Sequence, residues 1–273
     1  MYTCFNLSVE NGGLTELFEN DEDKREHYYQ KGEQLFESYK MEVERILDKY
    51  VVANDILDGK MIEDDWFPSV EADIFLSHSH RDEEFVIALS GWLHEKCNVK
   101  AFVDSGVWGY SDILLKKLDD EYCWNSRLQM YDYTKRNVTT SHVHMMLNNA
   151  LAKMMDKTEC LFFINTGNST TRNERFWECY TYSPWLYSEI GLSQIIQRKS
   201  KEAHREKSLL EHASEGYKNV YNLQILHPLS LDHMKTISCD NLLNWARKLP
   251  DEKQQYPLDS LYKLMEIKER VCK

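Results

Sequence analysis

The sequence predicts an α/β fold, a parallel sheet with helices on both faces, together with an N-terminal helical arm. Three observations predict it. Ile74-Phe75-Leu76 is apolar at consecutive positions, the pattern of a strand covered on both faces. A helical face of Phe85, Ala88, Leu89, Trp92 and Leu93 follows, and then a second strand from Lys100 to Val103, which makes a unit that joins parallel strands. A further helical stretch leads to a third apolar run, Cys160 to Ile164, so the alternation of strand and helix continues.

The elements follow in order. Residues 1–16 are polar, contain Gly12-Gly13 and read as a loose lead-in. From Asp21 to Tyr50 the pattern is helical, with Leu35, Phe36, Tyr39, Val43, Ile46, Leu47 and Tyr50 on one stripe. Such a stripe either docks on the rest of the chain or serves self-association. Asn54 to Ser69, rich in Asp with Gly59 and Pro68, reads as a linker. Ser79 is an N-cap with Asp82 and Glu83 in the turn it starts. Ser105 to Asp112 reads as an exposed loop with two aromatics, and Asp112 to Asp120 as a short helix. The segment 121–138 has no assignable pattern. Thr140 or Ser141 caps a helix with Val143, Met146, Leu147, Ala150, Leu151 and Met154 on one side. Asn165 to Asn168 is a turn. Ser183 caps a helix with Pro184 at its first position, running to Arg198. Val220 to Leu226 reads as a strand closed by Pro228, and Asn241 to Leu249 and Leu258 to Val271 as amphipathic helices. The implied organisation is an arm and linker over 1–69, a main domain over 70–235, and C-terminal helices over 236–273 packed on it.

Composition narrows the function classes. A formal net charge of −12 over 273 residues argues against general nucleic-acid binding, which needs a basic face. No apolar run approaches the ~20 residues of a membrane span, and the N-terminus lacks a signal-peptide pattern. The seven cysteines include no C-x-x-C pair and read as reduced thiols of a cytoplasmic protein. His78 and His80 have no third partner for a metal, and His142 and His144 do not share a helical face. No G-x-S-x-G elbow supports serine hydrolase chemistry.

In a parallel sheet of this kind, ligands sit beyond the carboxyl ends of the strands. That places Ser77-His78-Ser79, the loop from Asp104 to Asp112, and Asn165-Thr166-Gly167 at one edge. The start of the Ser183 helix joins them. Asp73-Ile74-Phe75-Leu76-Ser77-His78, with Ser79-His80-Arg81-Asp82 after it, resembles the opening strand of a Toll/interleukin receptor (TIR) domain. Ala101-Phe102-Val103-Asp104 is similar to the family's second strand, and Ser105 to Asp112 stands where the family has its BB loop. Ser183-Pro184-Trp185-Leu186-Tyr187-Ser188-Glu189 is similar to the helix that carries Trp and, four residues on, Glu. The resemblance spans residues 70–235 and implies a flavodoxin-like sheet. The arm and a segment at 121–137 depart from the family pattern, and the latter reads as an insertion.

Some TIR domains only self-associate, whereas others cleave NAD+ at the nicotinamide bond with the Glu of the Trp-x-x-x-Glu helix as the essential residue. The resemblance therefore implies an NAD+ nucleosidase with Glu189 as the catalytic group. It would release nicotinamide and ADP-ribose or a cyclic ADP-ribose, in bacterial antiviral defence or virulence. Trp185 stacks on the base or packs under Glu189. Asp104 is either a substrate contact or a turn residue, and Ser77, His78 and Ser79 are candidates for phosphate or ribose. Trp108 and Tyr110 suit stacking on a base or an interface with another subunit, with Ile113 beside them. NAD+ is here a substrate; no cofactor, metal, nucleic acid or membrane is expected, and partners are further TIR subunits in a homo-oligomer. A self-association scaffold and a nucleoside deoxyribosyltransferase, which shares a similar sheet and a Glu nucleophile, are the alternatives.

Overall fold

A computed structural model describes residues 1–9, 16–37, 50–53, 56–104, 111–172, 179–205, 227–249 and 256–267. The first strand, β1 (Thr3–Ser8), pairs in parallel with two later strands, so residues 3–8 belong to the sheet and not to a lead-in. Its signal is weak because Asn6 and Ser8 interrupt the buried Cys4, Phe5 and Leu7. Helix α1 (Glu22–Glu37) follows, and then the short strands β2 (Val51–Ala53) and β3 (Ile56–Leu57). Most of the segment read as a linker is also ordered. In α2 (Gly59–Trp66), Asp58 caps the first turn by accepting from the Lys60 and Met61 amides, and Ile62 and Trp66 are buried. Tyr39, Val43, Ile46 and Leu47 of the helical stripe lie outside the described residues.

The expected unit is present as β4 (Ile74–Ser77), α3 (Glu83–Cys97) and β5 (Ala101–Phe102), with a 3-10 turn at His80–Asp82 between β4 and α3. Helix α4 (Ser111–Tyr122) is followed by a hairpin of β6 (Trp124–Asn125) and β7 (Met130–Tyr131), which occupies the unassigned segment. Helix α5 (Tyr133–Lys157) begins earlier than its apolar pattern. Its N-cap is Asp132, which accepts from the Lys135 amide, and not Thr140 or Ser141. Ser141 instead donates back to the Asn137 carbonyl, 2.7 Å away, inside the helix.

Strand β8 (Cys160–Asn165) leads to the small strands β9 (Thr171–Arg172) and β10 (Cys179–Thr181), and then to α6 (Pro184–Ile195). Helix α6 therefore ends three residues before Arg198. A short helix, α7 (Lys201–Arg205), comes next. The strand expected at Val220 to Leu226 lies outside the described residues. Pro228 lies inside β11 (His227–Leu229), opposite Tyr180 of β10, rather than closing a strand. Strand β12 (Lys235–Ile237) and helices α8 (Cys239–Lys248) and α9 (Pro257–Leu264) complete the order.

The main sheet is parallel, with the order β12-β1-β8-β4-β5 and helices on both faces, an α/β flavodoxin-like architecture. Strands β4 and β8 are central and almost wholly buried, as their unbroken apolar runs require. On the helical layers, α1 and α8 pack against α3, and α5 packs against α2, α4 and α6. Tyr28, Gly32 and Phe36 of α1 are buried in this packing, and of the helical stripe Phe36 and Tyr50 are buried. Among the described residues, no helix is long and apolar enough to cross a membrane.

Candidate active site

From β4 the chain steps outward to β5 and then returns on the other side of β4 as β8. In sheets of this kind such a reversal marks the general ligand position, a crevice beyond the carboxyl ends of the flanking strands, here β4 and β8. Helix α6 runs antiparallel to the strands. Glu189 meets Ser77 at the carboxyl end of β4, while beyond the helix Arg198 reaches Cys4 at the start of β1, and the Lys199 amide donates to the Met1 carbonyl. The amino end of α6 is thus at the crevice. It is fixed there by Ser183, whose hydroxyl accepts from the Leu186 amide at 3.3 Å, and by Pro184 in the first turn.

Glu189 is 3 % exposed, an unusual state for a carboxylate. The Ser77 hydroxyl donates to its Oε2 at 2.5 Å. Burial pushes the Glu189 carboxyl well above the usual carboxylate range, the charge of Asp104 pushes the same way, and the Ser77 hydrogen bond opposes them. His78 is buried between the two strand ends. Its Nδ1 lies 3.1 Å from the Leu76 carbonyl and 3.6 Å from Asp104 Oδ1. Both neighbours are acceptors, which assigns the ring proton to Nδ1.

The structure therefore brings Ser77, His78, Asp104 and Glu189 together. Ser79 has a local job: its hydroxyl accepts from the Arg81 amide at 3.4 Å and caps the 3-10 turn. Ile113 is half-buried in the first turn of α4, against the core. Trp108 and Tyr110 lie outside the described residues. Trp185 is half-buried one turn before Glu189, at the mouth of the crevice, with its ring edge-on to His144 at a centroid distance of 5.4 Å and 87°. Burial lowers the His144 pKa against the pull of Asp112, which favours the neutral ring.

Two further groups belong to this end of the sheet and escape sequence reasoning. Asp82 is buried and binds the loop after β8, accepting from the Thr166 hydroxyl at 2.6 Å, the Asn168 amide at 2.7 Å and the Ser169 hydroxyl at 3.4 Å. It thereby locks the two walls of the crevice together. Its sequence signal is that of an ordinary acidic residue at a helix start. Ser188 donates to Asn148 of α5 at 2.6 Å, a contact that no periodicity announces.

Glu189 and Asp104 thus lie within electrostatic reach of each other, and the charge of Asp104 adds to the effect of burial on the Glu189 carboxyl. An open groove on α6 is lined in part by Tyr187, Ile190, Gly191, Gln194 and Leu229, and among the described residues no carboxylate, histidine or cysteine lines it. Among the described residues, no three His, Cys, Asp or Glu side chains converge to hold a metal ion. Comparison with family models, curated proteins and solved structures returned no match to this chain.

Proposed function

We propose that the chain is a TIR-type NAD+ nucleosidase, with Glu189 as its catalytic group. The observation that carries this reading is the burial of Glu189 at the crevice, on the same helix face as Trp185 and bonded to Ser77. Breaking the nicotinamide–ribose bond builds positive charge on the ribose, and the base leaves neutral because its ring nitrogen is already cationic. No proton need reach the leaving group. A single carboxylate facing the ribose meets the developing charge.

The raised pKa of Glu189 fits a cationic substrate. In the free protein, burial and the charge of Asp104 both bias the carboxyl towards its neutral form. A pyridinium ring entering the crevice supplies the opposite charge and draws the proton off. The proposed site thus prefers the oxidised dinucleotide to the reduced one, which lacks that charge.

A second reading, ribosyl transfer between neutral bases, is favoured by the same raised pKa, because a carboxyl biased towards its neutral form can protonate a departing base. The pH profile separates the two. NAD+ cleavage requires ionised Glu189, so kcat/KM rises with pH through its raised pKa. Proton donation requires the opposite form, so kcat/KM falls with pH through the same value.

The test is incubation of purified protein with NAD+ and mass analysis of the products, beside Glu189→Gln. Nicotinamide release that Glu189→Gln lowers by at least about 100-fold is expected. Absence of release across a range of protein concentrations, which covers activation by assembly, defeats the reading in favour of a scaffold.

A further inference from the structure

Helices α5 and α6 run side by side in the same direction, joined by three contacts in step. His144 meets Trp185, Asn148 accepts from Ser188, and Asp156 pairs with Lys199 just past the end of α6. The spacing on each side is close to one turn between the first two contacts, so they form a ladder and not a crossing. The Asn148–Ser188 bond, at 2.6 Å, fixes the rotation of α6 immediately before Glu189. The ring pair then fixes what α6 presents one turn nearer the crevice mouth.

Trp185 packs partly against the hydrophobic core, and among the described residues its one ring partner is His144, with no hydrogen bond to the indole. Apolar packing holds the indole in place, and a ring set edge-on to it adds a preferred plane. The 87° interplanar angle is the edge-to-face arrangement that aromatic pairs prefer. His144 is itself half-buried, and the Asn148–Ser188 bond one turn on holds its helix beside α6.

We propose that His144 is a positioning residue that sets the plane of the Trp185 ring at the crevice mouth. It thereby sets the affinity for the aromatic base of the substrate without touching the reacting atoms. This rests on the nucleosidase reading of the same site. Loss of the ring at position 144 removes the partner that sets the indole plane, so a base has to select that plane on binding, and the cost falls on substrate binding rather than on bond cleavage.

The test compares His144→Leu and His144→Gln, which lack the ring, with His144→Phe, which keeps it. The ring-less variants are expected to raise KM for NAD+ by about two- to tenfold, the range of an aromatic pair contact, with kcat within about twofold. His144→Phe is expected to restore KM to within about twofold of the parent. A KM unchanged in both ring-less variants, or an equal loss in His144→Phe, overturns the proposal. A second readout does not need turnover. The near-ultraviolet circular dichroism due to Trp185 is the difference between the parent and Trp185→Phe. The same difference taken in the His144→Leu background is expected to lose most of its amplitude. An unchanged amplitude overturns the positioning role. Absence of nicotinamide release from the parent defeats the nucleosidase reading, and the spectroscopic result still decides whether His144 orients the ring.

Discussion

At the scale of single residues, the candidate site puts function and stability in opposition at Glu189. A carboxyl whose pKa is raised in the folded state binds its proton more tightly there than in the unfolded chain. Its burial then costs no stability below the unfolded value, near the ordinary 4.5, and costs increasingly more as pH rises from there towards the folded value. Glu189→Gln removes that penalty. It is expected to stabilise the protein at pH 8 by on the order of 1 kcal/mol while abolishing turnover, and the gain should vanish towards pH 4. Urea unfolding of both proteins at the two pH values measures it; a loss of stability at pH 8 would show that the Ser77 hydrogen bond outweighs burial. The pairing of Trp185 with Glu189 is legible in the sequence because four residues make one helical turn. The partner Ser77 is not, since it lies 112 positions away and depends on how β4 and α6 are set against each other. The same holds for Asp82, whose partners Thr166, Asn168 and Ser169 follow a strand that only the folded sheet brings alongside.

At the scale of elements, the contact of α1 with α3 rests on two glycines. A Cβ at Gly32 would fall deep inside contact distance of the Ile87 carbonyl oxygen, and one at Gly91 would do so at the Tyr28 carbonyl oxygen. Backbone meets backbone there, so no side-chain rotation relieves the clash. Gly→Ala in an exposed helix gains about 1 kcal/mol from propensity. Here each substitution is expected to lose about 1–3 kcal/mol, because the helices have to separate. The double variant should lose less than the sum, since one separation serves both. Thermal melts check this, and a rise in Tm for Gly91→Ala would refute the close crossing. The apolar stripe of this arm was readable, but its destination was not: periodicity says that a face is buried, not what covers it. The same limit explains β1, where Asn6 and Ser8 break the apolar run of a strand that the sheet nevertheless encloses. It also explains the long N-terminal part of α5. Tyr133 and Val138 there are exposed, so that stretch carries no buried stripe to reveal the helix.

At the scale of the whole molecule, the two ends of the sheet do different work. The carboxyl end holds the candidate site, and the amino end holds a partly buried ion cluster built on the buried Glu159. Glu159, just before β8, is 2 % exposed and accepts from Nε and Nη2 of Arg205 at 3.0 and 2.9 Å and from the Tyr262 hydroxyl at 2.9 Å. Arg205 also reaches Asp259 of α9 at 3.0 and 3.1 Å and lies 4.0 Å from the centroid of the Tyr256 ring. The Tyr256 hydroxyl in turn donates to Asp73, which accepts from the Lys100 amide at the start of β5. One cation thus joins α7 and α9 to the starts of the central strands β8 and β4 and of the edge strand β5. A buried pair adds little over an apolar substitute, but removing one partner leaves the other charge stranded. Arg205→Ala is therefore expected to cost about 3–5 kcal/mol, and Arg205→Ala with Glu159→Gln distinctly less, because the stranded charge is gone. The m-value should not change, and, in an active protein, KM for NAD+ should stay within about twofold, since the cluster stands at the opposite end of the strands from Glu189. Urea midpoints and a KM measurement on the same two variants test the division of labour. A double variant no more stable than Arg205→Ala alone would mean that the guanidinium holds the C-terminal helix through Asp259 and Tyr256, and not by neutralising Glu159.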